Sequence, residues 1–116
     1  MCLKMGEGKG WLDRGSYRKK VLAGPEKLGE NRIVQIVEVK PGQHVEPHKH
    51  SITEEVFVIQ SSVGYLKVGG KEVEAVKDKV VLCEPGTVHE VFNPSEKPLR
   101  ILVFKNNVEE NDTEWV

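Results

Sequence analysis

The chain has 116 residues, of which 38% are hydrophobic and 30% charged, and its formal net charge is -1 at pH 7. This length fits one domain, and the composition is typical of a folded globular protein. A balanced charge argues against nucleic acid as the main partner, because phosphate binding needs a basic excess. No stretch has the roughly 20 apolar residues that would span a bilayer, so we expect no membrane partner and a cytoplasmic location.

Short runs rich in Val and Ile recur along the chain, with Gly and Pro turns between them. In chain order, the predicted strands are 17–23 (the weakest), 31–40, 54–60, 64–69, 71–76, 79–83, 88–93 and 99–105. Gly69-Gly70 supplies the positive φ that a tight hairpin turn needs. No segment shows apolar residues at sustained helical spacing. The pattern therefore predicts an all-β fold, either a sandwich or a small antiparallel β-barrel.

The two ends of the chain carry no strong strand pattern. Residues 1–15 are rich in Gly, and we interpret them as an N-terminal arm. Residues 106–116 contain four acidic groups and no basic one, and we interpret them as an acidic tail with a short helix or no regular structure. No boundary is visible between them, so 1–116 is treated as a single domain. Trp11 and Trp115 are candidates for burial in a dimer contact or for ordinary local packing.

The histidines form the main chemical signal, since all four lie between positions 44 and 89. His48 and His50 are two residues apart, so in an extended segment both imidazoles point to the same face. Glu54 or Glu55 could supply a carboxylate, and His89 lies on a separate predicted strand. Three imidazoles and one carboxylate suit zinc, iron, manganese, nickel or copper. Exposed polar residues at a strand end are the alternative interpretation of the histidine pair.

Two segments that contain these residues resemble a known family. Segment 42–55, GQHVEPHKHSITEE, resembles the first motif of the cupin superfamily, in which a Gly precedes an HxH pair and a Glu follows it. Segment 84–93, EPGTVHEVFN, resembles the second motif, whose core is P-x-G-x-x-H-x-x-x-N. The two motifs stand in the right order over nearly half of the chain. The likeness is to small single-domain cupins.

The family's motif positions can be carried over one by one. The metal ligands fall on His48, His50, Glu55 and His89, with Glu54 as the alternative carboxylate. Asn93 falls on the last position of the second motif, which we interpret as structural. The sequence departs from the family pattern at three turns, where Ser62, Asp78 and Glu84 replace the expected residues. None of the three is a ligand position.

The resemblance implies a jelly-roll β-barrel that holds a divalent metal ion near one mouth, and a homodimer. It also implies a metal-dependent enzyme for a small polar metabolite such as a sugar or sugar phosphate, of the mannose-6-phosphate isomerase type. A non-catalytic module that binds a metal or small ligand, and an Fe(II)-dependent dioxygenase, are the alternatives. The reaction, the substrate and the metal all remain open at this point.

No catalytic residue can be assigned from the sequence. Glu54 and His44 are candidates for an acid or base at the rim of the barrel. Four basic residues are candidates for binding an anionic group, with solvated strand faces as the alternative: Arg18, Lys19, Lys20 and Arg100.

Overall fold

A computed structural model describes residues 10–116 of the chain. Within this range the structure contains eleven β-strands and one short α-helix. The strands are β1 Leu12–Asp13, β2 Tyr17–Ala23, β3 Ile33–Val39, β4 His44–His50, β5 Glu54–Ile59, β6 Tyr65–Val68, β7 Lys71–Glu74, β8 Val80–Cys83, β9 His89–Phe92, β10 Leu99–Asn106 and β11 Thr113–Trp115, and the helix is α1 Pro25–Leu28. No helix found in residues 10–116 is long and apolar enough to cross a membrane.

The strands form two antiparallel sheets. The six-stranded sheet has the order β1-β2-β3-β10-β5-β8, and the five-stranded sheet has the order β11-β4-β9-β6-β7. Alternate residues of each strand point between the sheets and exclude water there. The buried apolar core consists of Val39, Val45, Phe57, Ile59, Leu66, Ala75, Cys83, Val91, Leu99, Ile101 and Val103. The predicted all-β jelly-roll barrel is therefore confirmed.

All eight strands predicted from hydrophobic patterning are present, but three further strands are not apparent in the sequence. β4 carries three histidines and Pro47, so it lacks an apolar alternation, and its pairing with β9 shifts register between Val45 and His48. A proline has no N–H to donate and fits such an irregular position. β1 pairs with β2 inside the segment that we interpreted as an arm, whose residues 1–9 lie outside the described range. β11 pairs with β4 inside the acidic tail.

Asn93 fixes the corner where β9 ends. Its side chain is 1% exposed, and its Nδ2 donates hydrogen bonds to the backbone carbonyls of Val39, Lys40 and Lys97. One buried amide thus joins three segments, which agrees with the structural role that the sequence predicted. Gly64 packs against the same corner with φ of +77°, and a Cβ there would lie 2.3 Å from a backbone oxygen. This turn therefore requires glycine.

Candidate metal centre

Three imidazoles meet on the inner face of the five-stranded sheet. His48 and His50 lie on β4, and His48 is directly opposite His89 of β9 in the strand register. One potential ligand atom from each ring lies within 4.8 Å of the other two. The predicted convergence of these histidines is therefore found, and the three rings could hold one metal ion.

Glu55 reaches the same cluster from the six-stranded sheet. Its Oε1 lies 2.7 Å from His50 Nε2 and 3.3 Å from His89 Nε2. Neither contact has the geometry of a hydrogen bond, so Glu55 Oε1 and His89 Nε2 are buried without a hydrogen-bond partner in the described part of the chain. Such orphaned atoms are costly unless a further group satisfies them. A divalent cation would satisfy both atoms, because carboxylate oxygens and imidazole nitrogens are both common metal ligands.

The choice between the two adjacent glutamates follows from strand alternation. Glu55 is 5% exposed and lines the cavity, whereas Glu54 lies on the other face of β5. The carboxylate that faces the cluster is thus Glu55, as expected. It contacts two of the imidazoles, those of His50 and His89.

Backbone carbonyls orient two of the rings. His48 Nδ1 donates a hydrogen bond to the carbonyl of Glu46 at 2.8 Å, and His89 Nδ1 donates one to the carbonyl of Thr87 at 3.2 Å. A carbonyl can only accept, so Nδ1 of each ring carries the proton and Nε2 keeps a free lone pair. This is the usual arrangement of a metal-binding histidine, whose second nitrogen is held by an outer hydrogen bond.

β11 adds two residues that the sequence did not suggest for this site. Thr113 Oγ1 lies 3.3 Å from His50 Nδ1 and holds the third ring. The ring of Trp115 lies 4.8 Å from that of His48 and lines the cavity, while its side chain remains 56% exposed. Within one chain, Trp115 therefore packs locally against His48. No strand pattern marks this acidic segment, so neither contact was predictable from the sequence.

The electrostatics of the cluster favour the protonation states that metal binding requires. Burial, with a smaller contribution from His89, lowers the pKa of His48 to about 4, so this ring is neutral at pH 7. Burial alone would raise the pKa of Glu55. Its contacts with His50 and His89 and the charge of Lys105 outweigh that effect and hold this pKa far below its ordinary value. Neutral imidazoles and an ionised carboxylate are the forms that bind metal ions.

The cluster borders a cavity of about 580 Å³. Phe57, Val91 and Val103 form apolar walls beside the four polar residues. Cavities of this size and mixed lining accommodate small molecules. The arrangement thus combines a set of metal-binding groups with space for a ligand next to it.

Residues 35–105 match the cupin domain family model, and this match spans both histidine segments. The chain belongs to the cupin family. No curated protein is significantly similar to it in sequence.

Solved structures show that the cupin fold extends over nearly all of the chain. A cupin-2 domain protein from Rhodospirillum rubrum superposes with a TM-score of 0.77 at 18% identity, over 96% of this chain and 75% of that one. A predicted oxalate decarboxylase from Thermotoga maritima gives 0.73 at 23% identity, over 90% and 87%. Streptomyces Pac13, a nucleoside dehydratase, gives 0.75 at 14% identity, over 100% and 92%. At these identities the likeness establishes the fold alone.

The proposed rim acids and bases of this cupin do not face the cavity. His44 stacks on Phe92, with ring centroids 4.1 Å apart, and its Nε2 lies 2.9 Å from Glu90 Oε2. Neither His44 nor Glu54 lines the cavity. Glu54 points away because neighbouring residues of a strand alternate between faces. His44 has the parity of His48 and His50, and the register shift between Val45 and His48 places it on the other side.

The four basic residues considered for anion binding also separate by face. Arg18 and Arg100 both pair with Glu38, so they share a single carboxylate outside the cavity. Lys20 lies on the same outer side of β2 as Arg18, whereas Lys19 lines the cavity. Arg18, Lys20 and Arg100 do not line the cavity, because alternate residues of a strand point to opposite faces, and this favours solvated strand faces for these three residues.

Proposed function

We propose that this cupin is a metal-dependent enzyme that acts on a small polar metabolite bound in its cavity. The observation that carries the proposal is the pair of orphaned atoms, Glu55 Oε1 and His89 Nε2, which face each other among the imidazoles. In this proposal His48, His50, Glu55 and His89 hold a divalent ion. When bound, such an ion supplies Lewis-acid stabilisation of negative charge on a substrate oxygen.

The chain's own groups prepare the site for that chemistry. Three neutral imidazoles and one carboxylate leave a net positive charge on a divalent ion, which favours an oxygen-rich ligand. The carbonyls of Glu46 and Thr87 fix two rings before the metal binds. Apolar walls at Phe57 and Val91 limit water around the bound metabolite. Zinc, iron, manganese and nickel all fit this donor set.

A sugar or a sugar phosphate is the substrate class that we favour, with an isomerase reaction of the mannose-6-phosphate isomerase type. The cavity offers hydrogen-bonding groups for hydroxyls in Tyr17 and Gln35, beside the charged Lys19. Two similar folds carry names for reactions on oxygen-rich small molecules, a nucleoside dehydratase and a predicted oxalate decarboxylase. Both names support a small polar ligand, but they refer to two different reactions.

A non-catalytic module that binds a metal or small ligand is the second candidate. It is favoured by the positions of His44 and Glu54, which leave the cavity without either of the acid–base groups suggested by the sequence. Such a protein would retain the metal and a ligand without turnover. An Fe(II)-dependent dioxygenase is a further variant of the enzyme proposal, distinguished by the identity of the metal.

Elemental analysis of the protein purified without added metal tests the proposal. We expect about one equivalent of a divalent metal in the wild type, a large loss in His89→Asn, and full retention in His44→Asn, the matched control outside the cavity. The loaded protein is then assayed for aldose–ketose interconversion of hexose phosphates, and for oxygen consumption if iron dominates. A bound ligand without turnover favours the binding module. A wild type that retains no metal after loading contradicts the metal-dependent enzyme and the metal-binding form of the module.

We also propose that the protein is a homodimer formed through the outer face of the six-stranded sheet. The apolar part of that face consists of Val34, Ile36, Val56, Val58, Val80, Leu82, Leu102 and Phe104. Val80, Leu82 and Phe104 are 62%, 49% and 40% exposed. A second copy presents the same apolar patch, so two such patches can cover each other. A cytoplasmic location stays a prediction from the sequence.

A further inference from the structure

The cavity wall formed by the six-stranded sheet carries three basic side chains. Lys19 of β2 and Lys105 of β10 are half-buried and line the cavity, and Arg14, just before β2, is exposed and lines it too. Lys19 lies opposite Val37, and Lys105 lies opposite Glu55, in the register of this sheet. Both lysines therefore occupy inward-facing positions, on the same face as the core residues Val103 and Phe57.

These three cations have no carboxylate partner within residues 10–116. Neither Arg14, Lys19 nor Lys105 forms an ion pair or a side-chain hydrogen bond there. By contrast, Lys40 pairs with Asp13 and Lys49 with Glu114. Half-buried cations without an ion-pair partner are unfavourable unless a further group neutralises them.

The lysines also act on each other. Burial lowers the pKa of Lys19, and the charges of Lys105 and Arg14 lower it further. Lys19 is therefore repelled by Lys105 and by Arg14, while the charge of Glu55 acts on it in the opposite sense. An anion placed among them would relieve that repulsion and replace the water lost by burial.

A buried neutral donor lies on the same wall. Gln35 is 4% exposed as a residue and lines the cavity. Its carboxamide can donate a hydrogen bond to an anion there. The acids that line the same cavity are Glu55, which is engaged by the imidazoles, and Glu46, whose side chain is 73% exposed.

We propose that Arg14, Lys19 and Lys105 bind the anionic group, a carboxylate or a phosphate, of the metabolite that this cavity takes. The inference rests on the proposed function, because it places one end of the metabolite at the cationic wall and the other at the histidine cluster. It also narrows that function to anionic metabolites. A phosphorylated sugar and a small organic acid are the two sources of such a group.

Binding of simple anions to the purified full chain tests the inference. Inorganic phosphate and malonate are titrated separately into the wild type, Lys19→Gln and Lys105→Gln, with Lys20→Gln as the matched control on the outer face of β2. Loss of one charged hydrogen bond should weaken binding about tenfold in each cavity variant, while the control stays within about twofold of the wild type. Tighter binding of phosphate would favour a phosphorylated sugar, and tighter binding of malonate an organic acid.

Equal affinity in all four proteins, or a wild type that binds neither anion, would overturn the inference. Thermal unfolding of each variant checks that it folds. Lys19→Gln and Lys105→Gln test the site independently of each other. The metal content of the same samples separates this inference from the proposed function. Lysine-dependent anion binding in a protein without metal would leave the anion site standing and contradict the metal-dependent enzyme. One equivalent of metal with no lysine effect would contradict the anion site alone.

Discussion

Lys105 of β10 lies directly opposite Glu55 of β5, yet the two form no ion pair. The carboxylate of Glu55 turns instead toward His50 and His89, at 2.7 and 3.3 Å from their Nε2 atoms. Lys105 remains at the cavity with its charge uncompensated within residues 10–116. This cross-strand pair is therefore the point where the candidate metal centre and the cationic wall meet.

Glu55→Gln tests the contribution of the carboxylate. The substitution keeps the side-chain size and removes the charge that opposes a cation, so we expect metal affinity to fall about 10- to 100-fold. Equilibrium dialysis against zinc or manganese measures the change. Glu54→Gln is the control, because Glu54 lies on the other face of the same strand. Equal losses in the two variants would show that Glu55 has no special role in metal binding.

His48 gives the metal-free protein a specific pH dependence. Its pKa falls from 6.5 in the free side chain to about 4 in the fold, so the folded state disfavours the protonated ring. The corresponding stability is present above pH 6.5 and is lost as the pH falls toward 4, by on the order of 1–3 kcal/mol. Urea unfolding at pH 7 and pH 4.5 measures this loss.

His48→Asn should reduce that pH dependence. An unaltered difference between pH 7 and pH 4.5 in His48→Asn would mean that other groups cause it. The metal-free form is required, because a bound ion would itself compete with protons for the imidazole.

Asp112 ties the C-terminal segment to the loop before β5. Its carboxylate accepts hydrogen bonds from the backbone N–H groups of Ser51, Ile52 and Thr53, at 2.8 to 3.0 Å. Asp112→Ala should destabilise the protein by about 1 kcal/mol, because three donors lose a charged acceptor but remain near water. Thermal unfolding measures this, with Glu110→Ala as the control on an exposed neighbour. A melting temperature equal to that of the control would refute the role of Asp112.

The sequence predicted those parts of the fold whose residues face the core in a regular alternation. β5 and β10 are examples, since every second side chain is buried and the pattern is visible without a structure. β4 and β11 were not predicted, because their stability comes from pairing with neighbours rather than from apolar side chains. Thr113 and Trp115 were consequently missed as contacts of the histidine cluster.

The candidate site likewise contains residues that the sequence predicted and residues that it did not. Spacing and family resemblance identified the histidines and Glu55, because these residues form short linear patterns. The cationic wall is not linear, since Lys19 and Lys105 are 86 positions apart in the chain and line the same cavity only through the order of the sheet. Of these two, the sequence suggested Lys19 alone. Its neighbours Arg18 and Lys20 show that a basic run on a strand divides between two faces.

The homodimer proposal predicts a specific effect of charge on the outer sheet face. Leu82→Lys or Phe104→Lys would place a charge in the contact and should convert a dimer into a monomer. Light scattering coupled to gel filtration measures the mass. Ile52→Lys is the control, because Ile52 is 50% exposed but lies in a loop away from that face. A monomeric wild type, or a dimer that persists in both variants, would contradict the proposal.

The most direct measurement is a crystal structure of the protein with anomalous data collected at the absorption edge of the metal identified by elemental analysis. We predict one anomalous peak about 2.0–2.3 Å from a nitrogen of His48, of His50 and of His89, with a Glu55 oxygen at similar distance. A metal-loaded crystal without a peak among these side chains, or with the metal bound elsewhere, would contradict the central claim.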